Sequence, residues 1–169
     1  RDRHCPDWLQ DTAASAQADS AALIDAWHGK GRNYYALTPR FAPTSTPAQM
    51  AALGELAQQY DDVFIQTHLS ENHDEIAWVN TLYPDCEDYL AVYEKYHMVR
   101  KRAVFGHCIH LSDSEWQRMG AQGAIAAFCP TSNLFLGSGL FDMAKANQFN
   151  VPVTLATDVG GGTSFSMLK

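Results

Sequence analysis

Five short runs of almost uninterrupted apolar residues return through the 169-residue chain: Tyr34 to Leu37, Val63 to Thr67, Ala103 to Gly106, Ala124 to Phe128 and Val153 to Thr157. Such runs suit parallel strands covered on both faces, and one parallel strand can follow another only through a crossover, usually a helix. The segments between the runs carry helix signals. Thr46-Pro47-Ala48-Gln49 reads as a capping box with proline at the first helical position, followed by Met50, Leu53, Ala57 and Tyr60 at helical spacing. Ser112-Asp113-Ser114-Glu115 is a second box ahead of Trp116 and Met119. Asn72 caps a helix bearing Ile76, Val79 and Leu82 that Pro84 closes, and Asp85 starts another through Tyr89, Tyr93 and Tyr96. An amphipathic stretch with Leu23, Ile24 and Trp27 ends at Gly29. The unit is a βα repeat of about 30 residues.

This repeat builds either a doubly wound sheet or a (β/α)8 barrel. Each run ends in a polar or special residue: Thr38-Pro39-Arg40, His68, His107, Cys129-Pro130 and Asp158. Barrel enzymes assemble their sites from the C-terminal ends of their strands. A nucleotide-binding doubly wound sheet needs G-x-G-x-x-G or a phosphate loop, and Gly160-Gly161-Gly162 lacks the lysine of the latter. The fold expected is therefore α/β, a TIM-like (β/α)8 barrel. It is incomplete here, because five strands cannot close eight, and residues 1–169 are read as a fragment of one barrel domain.

Composition excludes several alternatives. A formal charge of -7 leaves no basic face for phosphates, so nucleic acid is not an expected partner. The longest apolar stretches, such as Gly123 to Phe128, fall far short of the roughly 20 residues of a spanning helix, and the N-terminus is charged. A cytoplasmic protein is expected. Cys5, Cys86, Cys108 and Cys129 form no C-x-x-C pair and are read as free thiols.

His68, His107 and Asp158 each end a strand, and in a barrel those ends converge although they are distant in sequence. Neutral imidazoles and a carboxylate suit zinc. One such histidine alone would be structural; three groups of the right types make a metal site. His4, His28, His73, His97 and His110 lack this context and are read as solvated or structural. His73-Asp74-Glu75 spells H-x-E, but the P-C-x-x-C of that deaminase class is missing and the match is accidental. Asn133 and the Gly137-Ser138-Gly139 turn suit either a loop over the barrel mouth or a plain structural turn.

Together, Thr38-Pro39-Arg40-Phe41, Gln66-Thr67-His68-Leu69-Ser70-Glu71-Asn72, Gly106-His107-Cys108, Cys129-Pro130-Thr131-Ser132-Asn133 and Thr157-Asp158-Val159-Gly160-Gly161 resemble the amidohydrolase superfamily over essentially the whole chain. The first two motifs look like those of its guanine-deaminating members. The resemblance implies a metal-dependent hydrolase barrel of which residues 1–169 are the C-terminal larger part, strands four to eight, with His68 and Asp158 as zinc ligands and His107 as a further ligand or a contact to the water. It also implies Glu71 as the proton carrier, with Asp158 and His107 beside it in catalysis, and Arg40 and Phe41 against the purine next to His68 and Glu71. The implied reaction is hydrolysis of guanine to xanthine and ammonia, by a homodimer. The family pattern also has an H-x-H pair at the end of the first strand. None occurs in this sequence, so the pair is expected upstream of Arg1, and the chain by itself is expected to be inactive. Deamination of another heterocycle (S-adenosylhomocysteine, thioadenosine, cytosine or a triazine) and a non-catalytic barrel remnant are the competing readings.

Overall fold

The computed structural model describes residues 1–168. Five strands, β1 (Ala36–Leu37), β2 (Phe64–Leu69), β3 (Ala103–His107), β4 (Ile125–Phe128) and β5 (Val153–Leu155), form one sheet in sequence order. Every neighbouring pair is parallel, with Ile65 opposite Ala103, Val104 opposite Ile125 and Ala126 opposite Val153. A doubly wound sheet must reverse its strand order at a switch point. This one never reverses, so it is the wall of a barrel.

The helices are α1 (Ala13–Trp27), α2 (Pro47–Gln59), α3 (His73–Leu82), α4 (Tyr89–Lys95), α5 (Asp113–Gln122), α6 (Pro130–Phe135) and α7 (Met143–Gln148). None among the described residues is long and apolar enough to cross a membrane. Several start where their caps predict. Ser112 and Glu115 form the full reciprocal box, and Asn72 accepts from the Glu75 amide. The box at Thr46 is only half made. Thr46 Oγ1 accepts from Gln49 N, but the Thr46 amide donates to Asp2 Oδ1 at 2.7 Å, so the Asp2 carboxylate has taken the place of the Gln49 side chain. The fourth helix is capped by Asp88 rather than Asp85, whose carboxylate pairs with Lys95 instead. In α1 only Ile24 is buried; Leu23 and Trp27 are exposed, so its apolar pattern is not a core stripe.

The core lies between sheet and helices. Leu37, Ile65, Leu69, Ala103, Phe105 and Ala126 meet Met50, Val79, Tyr89, Leu90, Tyr93, Trp116 and Met119 there. Strand alternation sends the other set, Gln66, His68, Val104 and Gly106, to the opposite face. Here the expectation of strands covered on both faces is not met. The second face lines an open cleft, and Leu155 on β5 is 52% exposed.

Candidate active site

The cleft at the C-terminal ends of the strands has a volume of about 650 Å³, and Arg40, His68, His107, Cys129 and Asp158 are among its lining residues. One ligand atom from each of His68, His107 and Asp158 falls within 4.8 Å of the others. The structure thus brings together the three groups proposed as ligands from their strand-end positions.

Each histidine is held at Nδ1. The Arg40 carbonyl takes His68 Nδ1 at 2.6 Å, and it also accepts from the His68 amide at 3.3 Å and Thr67 Oγ1 at 3.2 Å. An acceptor there fixes the proton on Nδ1 and leaves Nε2 free for a metal. His107 Nδ1 is likewise held, 2.9 Å from Asn133 Oδ1. Its Nε2 lies 3.6 Å from Glu71 Oε2 and 4.0 Å from Asp158 Oδ2.

His107 reaches the cleft by a local break in the pleat. Alternation puts it in phase with Ala103 and Phe105, which face the helices. Its φ of 71° lies in the left-handed region and marks where the alternation ends. Asp158 has φ 47°, and Ser70, just before Glu71, has φ 51°. Such conformations cost of order 1–3 kcal/mol each in non-glycine residues and concentrate at functional sites. Behind Asp158 the chain closes tightly, with Gly161 and Gly162 amides on the Asp158 carbonyl at 3.0 and 2.6 Å. A Cβ on Gly162 would lie 2.0 Å from the Thr157 carbonyl oxygen, so this close approach requires glycine.

The two imidazole rings are 5.3 Å apart and cannot comfortably carry two charges. Burial, then the nearby His107, hold His68 below the usual imidazole range. For His107, burial works downward but is outweighed by hydrogen bonds to Cys129 and Asn133 and by the Glu71 charge, which push it up to about 9. Two imidazoles and a carboxylate that bring one ligand atom each within 4.8 Å of the others are the right donors for zinc, so the residues present fit the metal.

The purine-side candidates are placed differently from each other. Arg40 is exposed on the cleft rim. Phe41 packs on His68, with centroids 5.8 Å apart, and edge-on to Trp78. It therefore buttresses a proposed ligand from outside the set of cleft-lining residues. Glu71 has an 18% exposed side chain, and its amide donates to Glu75 Oε2 at 3.1 Å. The other oxygen of Glu75 accepts from Tyr89 Oη, and burial raises the Glu75 carboxyl above its ordinary range.

Sequence reasoning treated Tyr89 and Tyr93 as helix-face residues, yet Tyr93 sits directly beneath the site. Its hydroxyl accepts the Ala42 amide, donates to the His68 carbonyl and touches Thr67 Oγ1. No spacing rule flags this, because the residue sits on a regular apolar face. Four of the remaining histidines have partners away from the metal candidates: His4 on the Pro43 carbonyl, His28 on Asp62, and His73 against His110. All four cysteines are free.

The chain is 54% identical over 168 residues to the guanine deaminase of Escherichia coli K12, a match covering 99% of this chain and 38% of that protein. The solved E. coli guanine deaminase superimposes with TM-score 0.97 over 99% of this chain and 39% of its own. The guanine deaminase from C. acetobutylicum, solved with guanine in its active site, is 33% identical at TM-score 0.88, covering 95% of this chain and 39% of its own. A zinc complex of atrazine chlorohydrolase from Arthrobacter aurescens shares the fold at 22% identity and TM-score 0.79, over 90% of this chain and 34% of its own. This chain therefore spans under half the length of each of these relatives. Since the model of the amidohydrolase family aligns from residue 9 to residue 169, and the strands follow one another around the sheet as its barrel requires, the chain belongs to the amidohydrolase family.

Proposed function

We propose that this chain supplies the later strands and most of the reacting groups of a zinc-dependent guanine deaminase, a hydrolase that converts guanine and water to xanthine and ammonia in purine catabolism. The observation that carries the reading is the convergence of His68, His107 and Asp158 at the strand ends, with the Glu71 carboxylate 3.6 Å from His107. Guanine as substrate is supported by the named activity of the relatives and by the guanine seated in one of them.

His68, His107 and Asp158 would hold the zinc. Zinc in such a site supplies hydroxide near neutral pH by lowering the pKa of water. The chain's own groups do the rest. Glu71 carries a proton to the ring nitrogen beside the amino-bearing carbon as that carbon is attacked. Asp158 orients the nucleophile and relays a proton to the amine, which leaves as ammonia. Arg40, on the rim, holds the purine carbonyl with its guanidinium fork. Phe41 acts at one remove, fixing the His68 ring and the loop that carries Arg40.

The open inner face of the sheet, with Leu155 half exposed, is where the remaining strands would close the barrel. The free thiols fit a reducing compartment, and we place the protein in the cytoplasm as a homodimer. The test is to purify the full-length protein, measure its zinc, and offer guanine, cytosine, S-adenosylhomocysteine, thioadenosine and a triazine. Stoichiometric zinc and xanthine formation with guanine preferred are expected. A different preferred ring would replace the substrate, and a metal-free protein inert to all five would make it a barrel remnant.

A further inference from the structure

The turn that follows α6 reaches back to the proton carrier. The helix ends at Phe135, and Gly137 then adopts φ 71°, the left-handed conformation that closes a helix C-terminus. The Gly137 amide donates to the Leu134 carbonyl at 3.3 Å and the Ser138 amide to the Asn133 carbonyl at 2.9 Å. This cap delivers Ser138 with a fixed aim: its hydroxyl donates to Glu71 Oε1 at 3.1 Å, across 67 residues of sequence. Ser138 is also held from the far side, its carbonyl accepting from His110 Nε2 at 2.8 Å. The His110 ring in turn lies on His73, with centroids 4.0 Å apart.

Glu71 needs such a restraint. A glutamate side chain has three rotatable bonds, and a cleft of about 480 Å³ opens beside this one, lined by Glu71, His73, Leu136, Gly137 and Ser138. Without a donor on Oε1 the carboxylate has room to swing away from His107 into that space. With the donor in place, Oε2 lies 3.6 Å from His107 Nε2. We infer that Ser138 is a positioning residue for the reaction, holding the Glu71 carboxylate in its proton-transfer orientation. The inference rests on the deaminase reading for its kinetic consequence but not for its geometry.

Ser138→Ala and Ser138→Thr in the full-length protein, alone and in a Glu71→Gln background, test it. The alanine variant is expected to lose about 10-fold in kcat, the equivalent of about 1.4 kcal/mol, with KM for guanine within about twofold. The threonine variant keeps the hydroxyl and should recover most of that rate. In the Glu71→Gln background the alanine change should cost nothing further, because the carboxylate it serves is gone. A crystal structure of Ser138→Ala should show Glu71 turned into the adjacent cleft. An unmoved Glu71 in that crystal structure overturns the inference whatever the substrate proves to be. So does a kcat loss of equal size in both backgrounds, which would mark a merely structural turn. Absence of guanine turnover in the unaltered protein would sink the deaminase reading instead, leaving the crystallographic comparison to decide the role of Ser138.

Discussion

Removing one oxygen atom beneath the site, by Tyr93→Phe, should destabilise the protein out of proportion to its size. The Tyr93 hydroxyl is fully buried and sits at a junction of three elements. It accepts the Ala42 amide at 3.1 Å, just past Arg40 and Phe41, and donates to the His68 carbonyl at 2.8 Å. Phenylalanine fills the same ring volume, so no cavity or packing loss of consequence enters. What remains is a buried amide without an acceptor, costing about 1–3 kcal/mol, and a lost bond to the His68 carbonyl worth about 1 kcal/mol. The expected loss is about 2–4 kcal/mol. Urea unfolding of the full-length protein, followed in the transition that includes this domain, reads it as a lower midpoint at unchanged slope. Because both freed groups adjoin site residues, KM for guanine should rise as well. A change below about 0.5 kcal/mol would refute the argument, since it would mean that water or a backbone shift satisfies Ala42 at no cost.

Four further substitutions separate the roles of the site residues. Glu71→Gln should keep zinc and fold yet lose about 10²- to 10⁴-fold in ammonia release, whereas His68→Ala should lose zinc and activity together; near-normal turnover in the first would refute Glu71 as proton carrier. Arg40→Ala should lower kcat/KM for guanine by a factor equivalent to about 1.5–3 kcal/mol with zinc content unchanged, and unaltered guanine kinetics would remove Arg40 from the purine. Gly162→Ala places a Cβ 2.0 Å from the Thr157 carbonyl and must displace the backbone behind Asp158, so zinc affinity in a chelator competition should fall about 10- to 100-fold; an unchanged affinity would show that the turn tolerates the shift.

What was legible in the sequence was whatever a repeating pattern carries. The five runs predicted at 34–37, 63–67, 103–106, 124–128 and 153–157 overlap the five strands, because burial against helices forces apolar side chains along each strand. The caps at Asn72 and Ser112 were readable because they are local bargains between a side chain and an amide three residues on. Thr46 and Asp85 show the limit: Asp2, from outside the helix, intrudes on the first, and Lys95, at the far end of the same helix, draws the second away from the cap. Helix α6 was hidden by its brevity, although Pro130 at its start and Gly137 just beyond its end were both available as boundary signals.

The site itself was half legible, for a physical reason visible at His107 and Asp158. Their motifs identify them, but regular alternation would have sent His107 into the helix layer with Phe105. The side chain reaches the cleft only because the backbone there accepts a left-handed φ without being glycine, as it does at Ser70 and Asp158. No residue-by-residue propensity anticipates a costly conformation, since the restraint that enforces it lies elsewhere: Asn133 on the His107 ring, the Gly161 and Gly162 amides on the Asp158 carbonyl, and the Ser70 carbonyl accepting from Ile109 and His110. At His107 and Ser70 the strain and its restraints come from different strands, so they become apparent together only when the sheet has brought those strands side by side.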